Sequence, residues 1–231
     1  MEILPRCLGG AAENMAQDLL LLEAYPRPDA VRFRTYGWNQ PAYTFGVSQR
    51  WTEWRAATPN TCTLIRRPTG GGLVSHLEDW TFALVVPTHH PLVALEALAS
   101  YGQVLAALER ALTGLGQSVV GVAAPQGPRA YRAPEVCAQR SEPYDLVRRD
   151  DGRKVAGAAQ KRTRQGLLLQ GYVDRTVLPE CNWTKLEADF ASKLADTLRS
   201  PLTKTETPQY PAAVAAETLQ RFSSEAWNQR I

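Results

Sequence analysis

The order in which the hydrophobic periodicity changes along this chain constrains its fold more than any other feature. Residues 11–25 place Met15, Leu19 and Leu22 at helical spacing, with Glu13, Gln17 and Asp18 elsewhere on the wheel, and Pro26 and Pro28 end the helix. Strand-like segments follow at 31–36 and 43–49, and the turn over Gly37 to Pro41 makes them read as a hairpin. A short strand at 62–67 runs into the loop 68–76, and residues 80–87 form a strand apolar on both faces. The longest helical pattern covers 92–115, and a strand at 117–122 comes after it. Segment 123–143 is rich in Pro, Gly, Ala and Arg and reads as a long loop of the kind that usually serves function. Segments 144–149 and 153–160 form a hairpin across Asp150, Asp151 and Gly152; 166–173 is a further strand; 184–198 and 212–228 are helical. Strands in hairpin-like groups, without strict β-α alternation, predict an α+β fold. Its sheet is mixed and largely antiparallel, with flanking helices, and is not a doubly wound parallel sheet.

A chain of 231 residues suits one domain over 1–231, with its core at about 11–185 and the two helical segments after it. Hydrophobic residues at 44% and charged residues at 21% exclude wholesale disorder. No run of about 18 apolar residues exists, so no membrane helix is expected. The N-terminus lacks a basic segment followed by an apolar one, which argues against a secretory signal. Cys7, Cys62, Cys137 and Cys181 are too few and too scattered for a disulfide scaffold, and a cytoplasmic location is expected. The net charge of +3 hides an asymmetry. Residues 129–164 hold ten Lys/Arg and five Asp/Glu, whereas the remainder carries 16 and 18. Such a stretch is either a solvated loop or a face for an acidic partner.

Three segments could carry chemistry. In Arg66-Arg67-Pro68-Thr69-Gly70-Gly71-Gly72, consecutive glycines after a strand expose backbone N–H groups, and the two arginines could hold a carboxylate or phosphate. No Gly-Lys-Ser/Thr follows, so it is no Walker loop, and a flexible turn is the plain alternative. In the stretch from Gly152 to Gln160, strict alternation puts Lys154 on one face with Ala156 and Ala158, and Gly157 on the other. A lysine over such small residues could reach across a cavity, or could simply be exposed. Cys137, in the basic loop, and Cys181, before a helix, are candidate nucleophiles, although cysteine is commonly a small buried apolar residue. His76 stands alone, His89 and His90 are adjacent, and no metal motif or Gly-x-Ser-x-Gly elbow occurs.

Together these pieces resemble the lipoate-protein ligase and octanoyltransferase family, which shares the class II biotin/lipoate protein ligase catalytic fold. The matching motifs, in the family's order, are four. They are Asn14 to Asp18; Arg34 to Pro41 leading to Phe45-Gly46; Arg66 to Gly72 with His76; and Gly152 to Gln160. They span roughly residues 11–185.

The resemblance implies a central sheet over an acyl-binding tunnel. It implies that Lys154 contacts the reacting carbonyl and that Arg67, Thr69, Gly70, Gly71, Gly72, Leu73, Val74, Ser75 and His76 line the acyl site, with Gly157, Ala158 and Ala159 opposite. The spacing from His76 to Thr81 and the place of Cys137 before the Lys154 strand are similar to the Cys-dependent octanoyltransferase branch. Cys137 is the expected nucleophile and Cys181 the reserve. Leu77 stands where the family usually has Asp, and Gly72 is more ligase-like. A transferase implies acyl carrier protein as donor, no cofactor, and a lysine of a lipoyl domain or of glycine cleavage protein H as acceptor. It implies a monomer, with neither nucleic acid nor membrane as partner. A ligase implies ATP and Mg2+ with free lipoate, and a non-catalytic acyl-binding module of the same fold is the third reading.

Overall fold

A computed structural model describes residues 1–123 and 141–230. The first half contains β1 (Glu2–Ile3), β2 (Cys7–Gly9), α1 (Ala11–Glu23), β3 (Arg32–Trp38), β4 (Ala42–Phe45), α2 (Trp51–Ala56), β5 (Thr63–Arg66), β6 (Val74–Ser75) and β7 (Asp79–Pro87). Then come α3 (Pro91–Ala94), α4 (Ala97–Gly114), β8 (Val119–Gly121), β9 (Leu146–Arg148), β10 (Lys154–Thr163) and β11 (Gly166–Asp174). The chain continues through α5 (Trp183–Leu198), β12 (Thr203–Lys204), α6 (Ala212–Ser223) and α7 (Glu225–Asn228). The large sheet runs β12-β1-β3-β7-β11-β10-β9-β8, with β2 also on β3. Its β3-β7-β11-β10-β9-β8 portion is antiparallel throughout, while β1 joins β3 and β12 in parallel. A small second sheet has the order β5-β4-β6. The α+β expectation is met.

β7 explains the architecture. Its residues from Trp80 to Pro87 are all buried, because it is the central strand between β3 and β11. The pleat sends Trp80, Phe82, Leu84 and Val86 to the larger core, shared with apolar residues of α4 and α5. It sends Ala83 and Val85 to the other face, where α1 and Phe222 of α6 cover them. Phe190 of α5 seals the first core edge-on against Phe33 and Phe82 at centroid distances of 5.5 and 5.0 Å.

Several local expectations are corrected. β3 and β4 are not a hairpin: β3 pairs with β7 in the large sheet, while β4 pairs with β5 and β6 in the small one. The helical pattern at 92–115 is broken by extended backbone at Leu95 and Glu96. That at 212–228 is broken at Ser224, whose hydroxyl caps α7 by accepting from the Trp227 N–H at 3.2 Å. Asp18, placed by its wheel position on a polar side of α1, is fully buried. No helix among the described residues is long and apolar enough to cross a membrane.

Candidate functional site

The antiparallel register builds the floor of a cleft. Tyr36, Thr81, Tyr172 and Gly157 lie on one rung across β3, β7, β11 and β10. Two residues along, on the same face, lie Arg34, Ala83, Gln170 and Ala159. Both rungs face α1. Small residues at Gly157 and Ala159 leave room above the sheet, and Thr44, Arg67, Gly71, Val74 and His76, from the small sheet and its loop, form the roof. The cleft, counted out to its mouth, encloses about 470 Å³, and Met15 of α1 closes one side.

Lys154 points into this cleft, against Gly157. A Cβ at Gly157 would sit 3.0 Å from the Lys154 Cε and 3.1 Å from its Nζ, so only glycine leaves space for the side chain. Strict alternation put Lys154 on the opposite face from Gly157. The difference is a bulge: Lys154 pairs with Val147 but Ala156 pairs with Leu146, so Val155 is an extra residue on β10. Lys154 Nζ lies 2.7 Å from Asp145 Oδ2, and the two side chains are 7% and 2% exposed. The Asp145 carboxylate also accepts from the Tyr101 hydroxyl and, at 2.6 Å, from the Glu142 backbone N–H. Tyr101 in turn accepts from the Ala158 N–H at 3.0 Å. Burial, reinforced by the Asp145 charge, pushes the Tyr101 hydroxyl well above its usual range, so it remains a donor. The Lys154 ammonium thus faces the Asp145 carboxylate at the edge of a mostly apolar cleft.

The guanidinium groups of both loop arginines donate to backbone carbonyls. Arg66 donates to the carbonyls of Val47, Gln49, Trp227, Asn228 and Arg230 at 2.6–3.0 Å. Arg67 donates to Gly70 O, Gly72 O and both oxygens of Thr44. Loop carbonyls take the Arg67 donors because the glycine loop, lacking side chains, folds back on that arginine. The loop is also pressed on β4: a Cβ at Gly46 would meet Gly71 O at 2.1 Å.

His76 is not alone. Its Nδ1 is 2.6 Å from Asp79 Oδ2, and its Nε2 is 2.9 Å from Thr44 Oγ1. The Trp38 ring stacks on it at 4.0 Å, and Trp38 Nε1 donates to Thr81, which donates to Asp79. Under the cleft, Asp18 accepts from Arg34 at 2.7 Å, Tyr36 at 2.9 Å and Gln170 at 2.7 Å, and Gln170 accepts from Thr69 at 2.7 Å. This buried chain ties α1 to the glycine loop. Burial and the Asp18 carboxylate push the Tyr36 hydroxyl well above its usual range, which keeps it donating.

Of the residues expected at the site, Arg67, Gly71, Val74, His76, Lys154, Gly157, Ala158 and Ala159 line the cleft. Thr69 acts beneath it through Gln170, Leu73 packs with Phe45, Trp54 and Leu64, and Ser75 faces a neighbouring depression. Gly70 and Gly72 contribute carbonyls to Arg67. Cys137 lies outside the described residues. Cys181 does not line the cleft: it is packed in the larger core, where burial pushes its thiol up to about 11. Alkylation with iodoacetamide at pH 8 is therefore expected to label exposed Cys7 in the native protein and to leave Cys181 unmodified until the chain is unfolded, as mass spectrometry of the digest would report. Asp145, Tyr101 and Gln170 carry no signal in the sequence beyond the acid just before β9, and Asp18 stands within the first motif without its buried role being legible. Among the described residues, no group of three or more His, Cys, Asp or Glu could hold a metal ion.

The family model for the lipoyl protein ligase A/B catalytic domain matches residues 10–204. The octanoyltransferase LipM of Oceanobacillus iheyensis is 32% identical over 166 residues, 69% of this chain and 58% of that protein. The octanoyltransferase LipM of Kyrpidia tusciae is 31% identical over 199 residues, 83% of this chain and 71% of that protein. The chain thus spans less than two thirds of the first relative's length. Among solved structures, a bipartite lipoate protein ligase from Thermoplasma acidophilum, studied with its E2 lipoyl domain, aligns with a TM-score of 0.71 and 16% identity, over 99% of this chain and 95% of that one. At that identity the likeness is one of fold.

Proposed function

Because this chain belongs to the lipoyl protein ligase A/B catalytic-domain family, we propose that it is an acyltransferase of protein lipoylation. It moves an octanoyl or lipoyl group from acyl carrier protein to a lysine of a lipoyl domain or of glycine cleavage protein H. The observation that carries the reading is the buried Lys154–Asp145 pair opening onto a cleft roofed by the glycine loop. The cleft's mostly apolar lining and small-residue floor suit an unbranched acyl chain.

In this reading Cys137 is the nucleophile. Its thiolate attacks the thioester carbonyl, the carrier thiolate leaves with a proton, and an acyl-enzyme remains. Lys154 offers its ammonium to the carbonyl oxygen as charge develops there, and the backbone N–H groups of the glycine loop are further donors. The acceptor amine then attacks the acyl-enzyme. Support for Cys137 comes from its neighbourhood in sequence. Glu142, five positions later, donates its N–H to the same Asp145 carboxylate that holds Lys154. The basic residues between 129 and 164 suit acidic carrier domains.

Mass spectrometry of the protein mixed with octanoyl carrier protein tests this. The expected result is a covalent octanoyl adduct mapped to Cys137, formed without ATP. An adduct elsewhere changes the nucleophile, and modification of a lipoyl domain only with free lipoate, ATP and Mg2+ replaces the transferase by a ligase.

A further inference from the structure

A second depression, of about 640 Å³, adjoins the acyl cleft and shares Val74 and Tyr172 with it as a common wall. Its remaining lining is Ser75, Leu77, Glu78, Asp79, Asp174 and Thr176: three carboxylates and no basic residue. Two of the carboxylates are unremarkable. Glu78 is exposed, and Asp174 Oδ1 accepts from the N–H and hydroxyl of Thr176 at 2.8 and 2.6 Å. Asp79 differs. Its side chain is 3% exposed. Its Oδ2 is taken by His76 and Thr81, whereas Oδ1 is buried and has no hydrogen-bond partner among the described residues. A buried carboxylate oxygen without a donor is costly, so native structures rarely keep one unless a ligand, an ion or an ordered water completes it.

We infer that this side cleft receives the ammonium group of the acceptor lysine, with Asp79 Oδ1 as its seat. The inference rests on the transferase reading and names where its amine substrate binds. The ligand class is a primary alkylammonium on a flexible stem. Its three N–H donors match a carboxylate at the bottom and polar groups at the rim. Leu77, 46% exposed, offers an apolar contact for the methylene stem. Val74 and Tyr172 also line the cleft that takes the acyl group, so the two clefts adjoin and the amine lies beside the carbonyl it attacks.

The chemistry balances. The ammonium gives one proton to the coupled Asp79 and His76 pair. The freed nitrogen lone pair forms the C–N bond at the thioester carbonyl, the C–S bond breaks, and the Cys137 thiolate leaves and takes the second nitrogen proton. The products are an amide and a free thiol.

Two measurements on the full chain test the site. In the first, the protein is titrated with n-butylammonium chloride while the His76 ring resonances are followed by NMR. Saturable shifts are expected in the wild type, with none from tetramethylammonium, which has no N–H donors. Asp79→Asn is expected to weaken the response at least about 10-fold. Leu77→Arg, which sets a competing guanidinium at the exposed rim, is expected to do the same without touching the core. An unchanged response in both variants overturns the site, whatever reaction the protein catalyses.

In the second, preformed octanoyl-enzyme is discharged by n-butylammonium or by hydroxylamine, which is uncharged at neutral pH. Asp79→Asn is expected to slow the ammonium about 10- to 100-fold more than hydroxylamine. Equal slowing of both overturns the proposal and leaves Asp79 as a support for His76. If the wild type forms no octanoyl-enzyme, the transferase reading has failed, and the first measurement by itself decides whether the side cleft binds an alkylammonium.

Discussion

Lys154→Met is expected to lower acyl transfer about 10³-fold, the scale on which removing a positioned proton donor or oxyanion partner acts. The same change leaves Asp145 buried, 2% exposed, without its cation. Breaking a buried pair by removing one partner costs about 3–5 kcal/mol. Tyr101 and the Glu142 N–H still donate to the carboxylate and should hold the loss to the lower end. The two effects separate in a second variant. Lys154→Met with Asp145→Asn removes the stranded charge and is expected to recover most of the stability seen in urea unfolding. It should recover none of kcat/KM. If the double variant regained transfer, the lysine would be a structural counter-ion and the mechanism above would fall.

Arg66→Ala is expected to be the most destabilising single change in the loop region, by about 3–5 kcal/mol, because several carbonyls lose a charged donor at once and each unmet buried acceptor costs about 1–3 kcal/mol. Five backbone carbonyls accept from this one guanidinium. They come from the turn after β4 and from the chain around α7, so the residue binds two distant parts of the sequence. The contact is reciprocal: Trp227 Nε1 donates to Arg66 O at 2.8 Å, and Arg66 N donates to Asn228 Oδ1 at 2.8 Å. Those two bonds use the Arg66 backbone and survive the substitution. Arg66→Lys should recover less than half of the loss, because an ammonium has three donors where the guanidinium has five. Urea midpoints of the three proteins test this. If Arg66 instead served to hold a substrate anion, Arg66→Ala would change KM for the acyl donor and leave the urea midpoint in place.

The sequence was most legible where one strand carries its own period. β7 and β11 are apolar on both faces because they are central strands, and that pattern is local. Pairing was less legible. The segment after Trp38 turns sharply and looks like a hairpin turn, yet β3 and β4 join different sheets. Which sheet a strand joins depends on the edge left free by β7, and no residue near the turn records it. The same holds at the site. The glycine loop, His76 and Lys154 were visible as motifs. Asp145 and Gln170 were not, and Asp18, though inside the first motif, had no partner to give it a role, because each becomes a partner only through cross-strand register or through a helix laid on the sheet. Polar residues on a helix face normally signal solvent; Asp18 is buried because Arg34, Tyr36 and Gln170 all converge on it.

The extra residue in β10 means that the orientation of Lys154 depends on chain length as much as on side-chain chemistry. Deleting a single position between the Asp150 turn and Gly157 would rotate the lysine away from Asp145 while preserving every motif by which it is recognised. Anyone grafting this strand onto another scaffold, or aligning it by counting in twos from the Gly-Ala-Ala run, must carry the partner strand β9 along with it, since the offset is stored in the pair and not in either strand by itself.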